Sequence, residues 1–423
     1  MTIPFRFIQC GDLHLGAPFG YLKTLGRQAD EAVRYATYRA FESVVQLALD
    51  EQVDALLITG DVYNSDDHNL EAQVRFAREC ERLQEAHIPV FMVQGNHDPA
   101  EGWQAHVSLP ANVHIFSADE PERRSLIVQG REVAGIYGMS ISRNNSVVDL
   151  ASQIKVRSDD VFSIALIHGT VGSQPNHVTT APCSMDTLLR SPINYWAFGH
   201  IHKRQVLHEV PYVVYAGNTQ GLHGKEVGPK GCYLVTVGGN GRVLLDFRET
   251  GAIRFAKSHI DITGLRTSAE LEEMIRHKKE MLRKGKKPVL QEIVLTGSGP
   301  LHRAAADEST RQVWMEAARD EEAHRIHFIL PYRIIDETWP EIDLAERRQL
   351  HDMVGDYLAA YDAAVADGSD ESVIKLRDTV LARPETKRLG LYRHMLTPEL
   401  VRRALRRAET EGALRLLGDS YED

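Results

Sequence analysis

The first 250 residues alternate between two hydrophobic periods. Short apolar runs, "FRFIQ" (5–9), "DALLI" (54–58) and "PVFMV" (89–93), read as buried strands. Between them, residues 31–52 place Val33, Tyr38, Phe41, Val44, Val45 and Leu49 near helical spacing, and residues 69–87 read as a second helix. Strands that alternate with helices imply a parallel sheet with covered faces. The later runs are "EVAGIYG" (132–138), "VFSIALIHG" (161–169), "INYWAFG" (193–199), "YVVYAG" (212–217), "CYLVTV" (232–237) and "RVLLDF" (242–247). Turns often separate them, which predicts a second, more antiparallel sheet. The pattern therefore predicts an α/β fold in which two sheets form a sandwich flanked by helices.

Beyond residue 250 the character changes. Two strand candidates, 289–297 and 325–335, lie among helix-like stretches and predict a small α+β domain. From about residue 336 the pattern is helical and amphipathic, interrupted by "DGSD" (367–370) and "ARPET" (382–386). The expected division is 1–255, 256–335 and 336–423.

Composition narrows the picture modestly. A formal net charge of −10 over 423 residues argues against coating nucleic acid by bulk charge, although local basic patches can still hold phosphates. One candidate patch is "RHKKEMLRKGKKP" (276–288), with seven Lys or Arg against one Glu. Four cysteines without a CxxC suit reduced thiols. No apolar run reaches bilayer length and no signal peptide is recognisable, so the expected location is cytoplasmic, without a membrane.

Candidate chemistry falls where strands end. "FRFIQC" is followed by Asp12 and His14, and "DALLIT" by Asp61 and Asn64. "PVFMVQ" is followed by Asn96, His97 and Asp98, "FSIALI" by His168, and "NYWAF" by His200 and His202. His177 is an alternative to His168, but only His168 directly follows an apolar strand. Strand ends of one parallel sheet open onto one edge, so separate segments can converge there. Carboxylates, an amide oxygen and imidazoles without thiolate suit a hard or borderline divalent ion. The set is too large for one ion; two ions about 3.5–4 Å apart that share a carboxylate would use it and clamp a phosphoryl group.

The ordered series D-x-H, G-D, G-N-H-D, H, G-H-x-H resembles the calcineurin-like metallophosphoesterase superfamily over residues 5–250. "FIQCGDLHLGAPF", "YAGNTQGLHGKEVGPKGCYLV" (215–235) and "VLTGSGPLH" are similar to segments of SbcD/YhaO-type DNA repair exonucleases. That resemblance implies a four-layer αββα sandwich with a small α+β capping domain and a helical C-terminal extension. It implies a first metal on Asp12, His14, Asp61 and His202, and a second on Asp61 as bridge, Asn96, His168 and His200. The two divalent ions would be Mn²⁺, with Fe²⁺, Zn²⁺ or Mg²⁺ as alternatives. His97 would be the general acid or orient phosphate, Asp98 would hydrogen-bond His97, and a metal-bound hydroxide would attack.

The resemblance also implies substrate contacts at Asn64, Asn218, Lys225 and Lys230. Asn64 stands where many of these nucleases carry a histidine thought to help place the scissile phosphate. The implied partners are DNA, a second copy in a homodimer, and an SMC-like coiled-coil ATPase of the SbcC or YhaN type. The ATPase would dock on C-terminal helices such as 397–418, where Val401, Leu405, Leu414 and Leu417 oppose Arg402, Arg403, Arg406 and Arg407. The expected activity is metal-dependent DNA phosphodiester hydrolysis. A nucleotide or cyclic-nucleotide phosphodiesterase, or a scaffold with structural metals, are the alternatives.

Overall fold

The computed structural model describes residues 3–19, 25–105, 107–172, 179–322, 324–365, 370–384, 386 and 396–417. His177, most of the expected 367–370 interruption and part of 382–386 lie outside these residues.

Phe5–Cys10 (β1), Ala55–Thr59 (β2), Val90–Val93 (β3) and Val113–Ile115 (β4) run parallel side by side. A second sheet holds Glu122–Val128 (β5), Arg131–Gly138 (β6), Ser163–His168 (β7), Tyr195–Gly199 (β8), Gln205–Glu209 (β9) and Tyr212–Tyr215 (β10). Its order is β5-β6-β7-β8-β10-β9, parallel from β6 to β10 and antiparallel at both edges. Gly231–Val237 (β11) and Val243–Glu249 (β12) complete the first sheet as β12-β11-β1-β2-β3-β4. A third sheet has the order Arg254–Asp261 (β13), Val289–Ser298 (β14), Ile329–Trp339 (β15). The antiparallel character expected of the second sheet is thus confined to its edges.

Alternation along β1 shows how the layers form. Phe5 and Phe7 pack with Leu57, Val93, Leu166 and Ala197 between the two large sheets. Ile8 and Cys10 point the other way, onto helical residues Phe41, Val44 and Phe76. Trp196, Phe198 and Tyr215 pack on the outer face of the second sheet with Leu150 and Leu188. The result is the expected mixed α/β architecture, two large sheets flanked by helices. The helix expected over 31–52 is two, Arg27–Arg34 and Ala36–Asp50, because Tyr35 leaves helical geometry at φ −102°, ψ 6°.

Gln9 is a polar residue inside the sandwich, with no exposed surface. Its amide donates to Val214 O at 3.0 Å and Phe198 O at 3.4 Å, and accepts from Tyr195 Oη at 2.6 Å. One side chain of the first sheet is therefore bonded to two strands of the second.

The chain divides into two compact units, 1–258 with 278–292 and 317–333, and 259–277 with 293–316 and 334–423. In the first, the expected cationic patch is partly internal. Lys279 is buried against Glu321, Glu322 and Ala318 O, Arg283 pairs with Glu322, and Lys287 donates to Gly251 O. In the second, helix Pro398–Leu417 packs its Ala413 against Val354 and Leu358 of helix Met353–Val365. Thr397 Oγ1 accepts from Leu400 N at 3.2 Å and caps this helix. The side chains of Arg403, Arg406 and Arg407 lie outside the described residues. No helix among the described residues is long and apolar enough to cross a membrane.

Replacing Gln9 with Leu leaves the Tyr195 hydroxyl buried without its acceptor. The expected cost is about 1–3 kcal/mol, read as a lower urea midpoint at unchanged slope. An unchanged midpoint would show that this bond between the sheets is not structural.

Candidate metal centre

The strands deliver their ends level. Cys10 pairs with Ile58, Thr59 with Val93 and His168 with Gly199, so the following loops emerge at one edge. Asp12 N donates to Gly60 O and His14 N to Asp61 O, both at 3.0 Å, which joins the first two loops. Asp12 (φ 50°), His14 (φ 43°), Asp61 (φ 52°) and His200 (φ 96°) all occupy left-handed backbone. Such conformations cost on the order of 1–2 kcal/mol for residues with a Cβ and collect where side chains must be aimed. At Gly60 (φ +91°) a Cβ would come within 2.6 Å of His168 Nδ1, so this turn needs glycine.

Two groups of acceptors converge at this edge. Asn64 Nδ2 donates to Asp67, so Asn64 presents its oxygen to His14 Nδ1 at 2.9 Å. His14 Nδ1 therefore carries the proton. His202 Nδ1 donates to Glu226 Oε1 at 2.5 Å. Both rings are left with an Nε2 lone pair, and the two Nε2 atoms face each other at 3.1 Å. The buried Asp12 Oδ2 has no hydrogen-bond partner. Asp12, His14 and His202 each offer a ligand atom within 4.8 Å of the others.

The second group repeats this logic. His168 Nδ1 donates to Thr59 O at 2.8 Å, which turns its Nε2 towards Asn96 Oδ1 at 2.9 Å and Asp61 Oδ2 at 3.3 Å. His200 Nδ1 meets the same Asn96 oxygen at 2.9 Å, and His200 N donates to Asp12 Oδ1. Asp61 Oδ2 also lies 3.7 Å from His14 Nε2, so one carboxylate oxygen stands between the groups. Asp12 joins Asp61 and His168 within 4.8 Å as well, so it borders both groups and not the first alone. The facing Nε2 lone pairs of His14 and His202, and the oxygens of Asp12, Asp61 and Asn96 gathered beside the imidazoles, call for cations. Oxygen and imidazole donors without thiolate suit hard or borderline divalent ions.

Local fields reflect the crowding. Burial lowers the proton affinity of His14. Burial works the same way on His168, yet the adjoining Asp61 outweighs it and lifts the ring to about 9. Burial would raise the Glu226 carboxyl, but its bond to His202 draws it down to about 2.

Not every expected residue takes its expected place. His97 is exposed, its ring 5.0 Å from that of His14 and nearly perpendicular to it. The expected bond from Asp98 to His97 is not made. The buried Asp98 carboxylate accepts instead from Gly95 N at 2.7 Å, Val62 N at 2.9 Å and Asp61 N at 3.1 Å. Asn64 is occupied by His14 and Asp67. Asn218 is 1% exposed, and its Nδ2 donates to Glu226 Oε2 and Gln220 O. Lys225 is exposed, and Lys230 Nζ donates to His202 O at 3.1 Å.

Glu226 escaped the sequence reading. It sits in "GLHGKEVGPKG", and its only outward signal is one acid among lysines and glycines. Its carboxylate accepts from His202 Nδ1, Leu222 N at 2.7 Å and Asn218 Nδ2 at 3.0 Å. A carboxylate behind an imidazole fixes the tautomer and makes the opposite nitrogen a stronger ligand.

Comparison with known proteins agrees with this geometry. Residues 5–204 match the calcineurin-like phosphoesterase family, and residues 255–341 match the middle domain of metallophosphoesterase YhaO. The chain is 35% identical over 345 residues to YhaO of Bacillus subtilis (strain 168), a metallophosphoesterase named as uncharacterized, covering 81% of this chain and 84% of that protein. It is 24% identical over 376 residues to the DNA double-strand break repair protein Mre11 of Sulfolobus acidocaldarius, covering 84% and 90%. Mre11 of Sulfurisphaera tokodaii is 27% identical over 180 residues, 40% of this chain and 43% of that protein.

Glu226→Gln should weaken one bound divalent ion per chain by about 10–100-fold while the other is kept. Metal content after dialysis against graded chelator reads this directly. Unaltered retention of both ions would remove the role assigned to Glu226.

Proposed function

This chain belongs to the calcineurin-like metallophosphoesterases, in their YhaO branch, and on that premise we propose that it is a two-metal phosphodiesterase acting on DNA. The observation that carries the reading is the double convergence of imidazole, carboxylate and amide groups around Asp61 Oδ2. Similarity to repair proteins named Mre11 favours DNA over a small ester.

In this reading Asp12, His14, Asp61 and His202 hold one ion, and Asp61, Asn96, His168 and His200 the other, with Mn²⁺ first among candidates. When bound, such a pair supplies Lewis acidity to phosphoryl oxygens and lowers the pKa of a coordinated water. The protein does the rest. Asn64, Glu226 and Thr59 O hold the protons of three rings on the far side from the ions. Asp98 gathers the Asp61 and Gly95 loops onto one carboxylate. His97 is tied to the centre through its backbone, N to Asp61 Oδ1 at 2.9 Å, while its ring faces solvent. That placement suits donating a proton to the leaving oxygen.

We assign 1–255 to hydrolysis, 256–335 to capping the DNA, and 336–423 to docking a coiled-coil ATPase. Of the apolar residues on helix Pro398–Leu417, Val401 and Leu414 are buried and Leu400 stays exposed, so the last assignment rests on that exposed end. Homodimer formation belongs to the same reading.

With Mn²⁺ the protein is expected to degrade single- or double-stranded DNA. His97→Ala should lower that rate by about 10²–10⁴-fold and keep both ions. Turnover of bis(p-nitrophenyl) phosphate without any DNA cleavage would overturn the DNA assignment.

A further inference from the structure

Beside His202 lies a cavity of about 190 Å³. His202, Lys203, Arg204, Asn218, Lys230 and Phe247 are among its lining, and no lining residue is acidic. Three of its lining residues are cations on a chain of net charge −10, and of these Lys230 also feels the buried Glu226 carboxylate. Each cation is differently placed. Lys230 Nζ is anchored on His202 O at 3.1 Å. The Arg204 guanidinium lies 3.5 Å over the Phe247 ring, a stack that pre-sets its planar fork. Lys203 is exposed at the rim. Gly217 (φ +75°) lets the backbone close behind them, since a Cβ there would come within 2.8 Å of Arg204 N and His202 O.

We propose that this cavity is a subsite for a second phosphate, the phosphodiester next to the cleaved one in a polynucleotide strand. The inference rests on the reading of the adjoining centre as a phosphodiesterase. His202 belongs to both places, with its ring in the acceptor cluster and its carbonyl holding Lys230, so a ligand bridging them spans one residue. A guanidinium fork matches phosphate oxygens in pairs and an ammonium adds a point charge. A small phosphodiester reaches the metal centre alone, whereas a strand engages both.

The test is binding, read apart from cleavage. Anisotropy of a labelled single-stranded oligodeoxynucleotide is measured against the full chain across a salt series. One arm contains chelator, and the other contains Mn²⁺ with a phosphorothioate strand. Lys203→Gln with Arg204→Gln should weaken binding about tenfold and flatten the log–log salt slope by about 1.4, two contacts at about 0.7 each. Lys203→Arg with Arg204→Lys should restore most of the slope. Equal affinity and slope in wild type and the double glutamine variant would overturn the subsite. So would inorganic phosphate binding that depends on these residues while oligonucleotide binding does not, because the cavity would then serve a free phosphate. A wild type that binds through Lys203 and Arg204 yet cleaves no DNA keeps the subsite and overturns the nuclease reading instead.

Discussion

The two large sheets must stay aligned at one edge for this protein to have a site at all. Asp12, Asp61 and Asn96 follow strands of the first sheet, while His168 and His200 come from strands of the second. Gln9 bonds across that divide to Phe198 O, two residues before His200, and to Val214 O. Hydrophobic packing between sheets is strong but nondirectional. A fully satisfied buried amide adds the missing direction. Its placement, three residues before Asp12, puts that alignment close to the chemistry.

Within this frame the imidazoles are controlled from behind. An asparagine oxygen, a main-chain carbonyl and a glutamate each take the proton of one ring, so tautomer choice is built into the second layer of contacts. The three acceptors differ in charge. His202, backed by a carboxylate, is the more basic donor, and His14, backed by a neutral amide and deeply buried, the weaker one. The resulting asymmetry comes from partners and not from the ligand set.

The parts of this design visible in the sequence were those written as apolar runs. β1, β2, β3, β7 and β8 are buried on both faces, so their residues read as continuous hydrophobic stretches with ligands at the ends. β5 ("ERRSLIV") and β9 ("QVLHE") lie at sheet edges with one face in water, and their mixed composition hid them. Neighbouring residues also say little about where side chains point. Asp98 follows His97 directly, yet its carboxylate reaches back to the Asp61 loop. Glu226 is remote from every ligand in sequence, and only the fold of its glycine-rich loop brings it to His202. Counting charge along 276–288 likewise could not reveal that Lys279 is an internal ion pair.

The left-handed backbone at Asp12, His14, Asp61 and His200 has a consequence for the stability of the fold. These positions carry conformational strain, accepted where side chains must be aimed at one point. Asparagine or glycine at any of them would ease the backbone, whereas cations that bind only the folded arrangement would offset its cost.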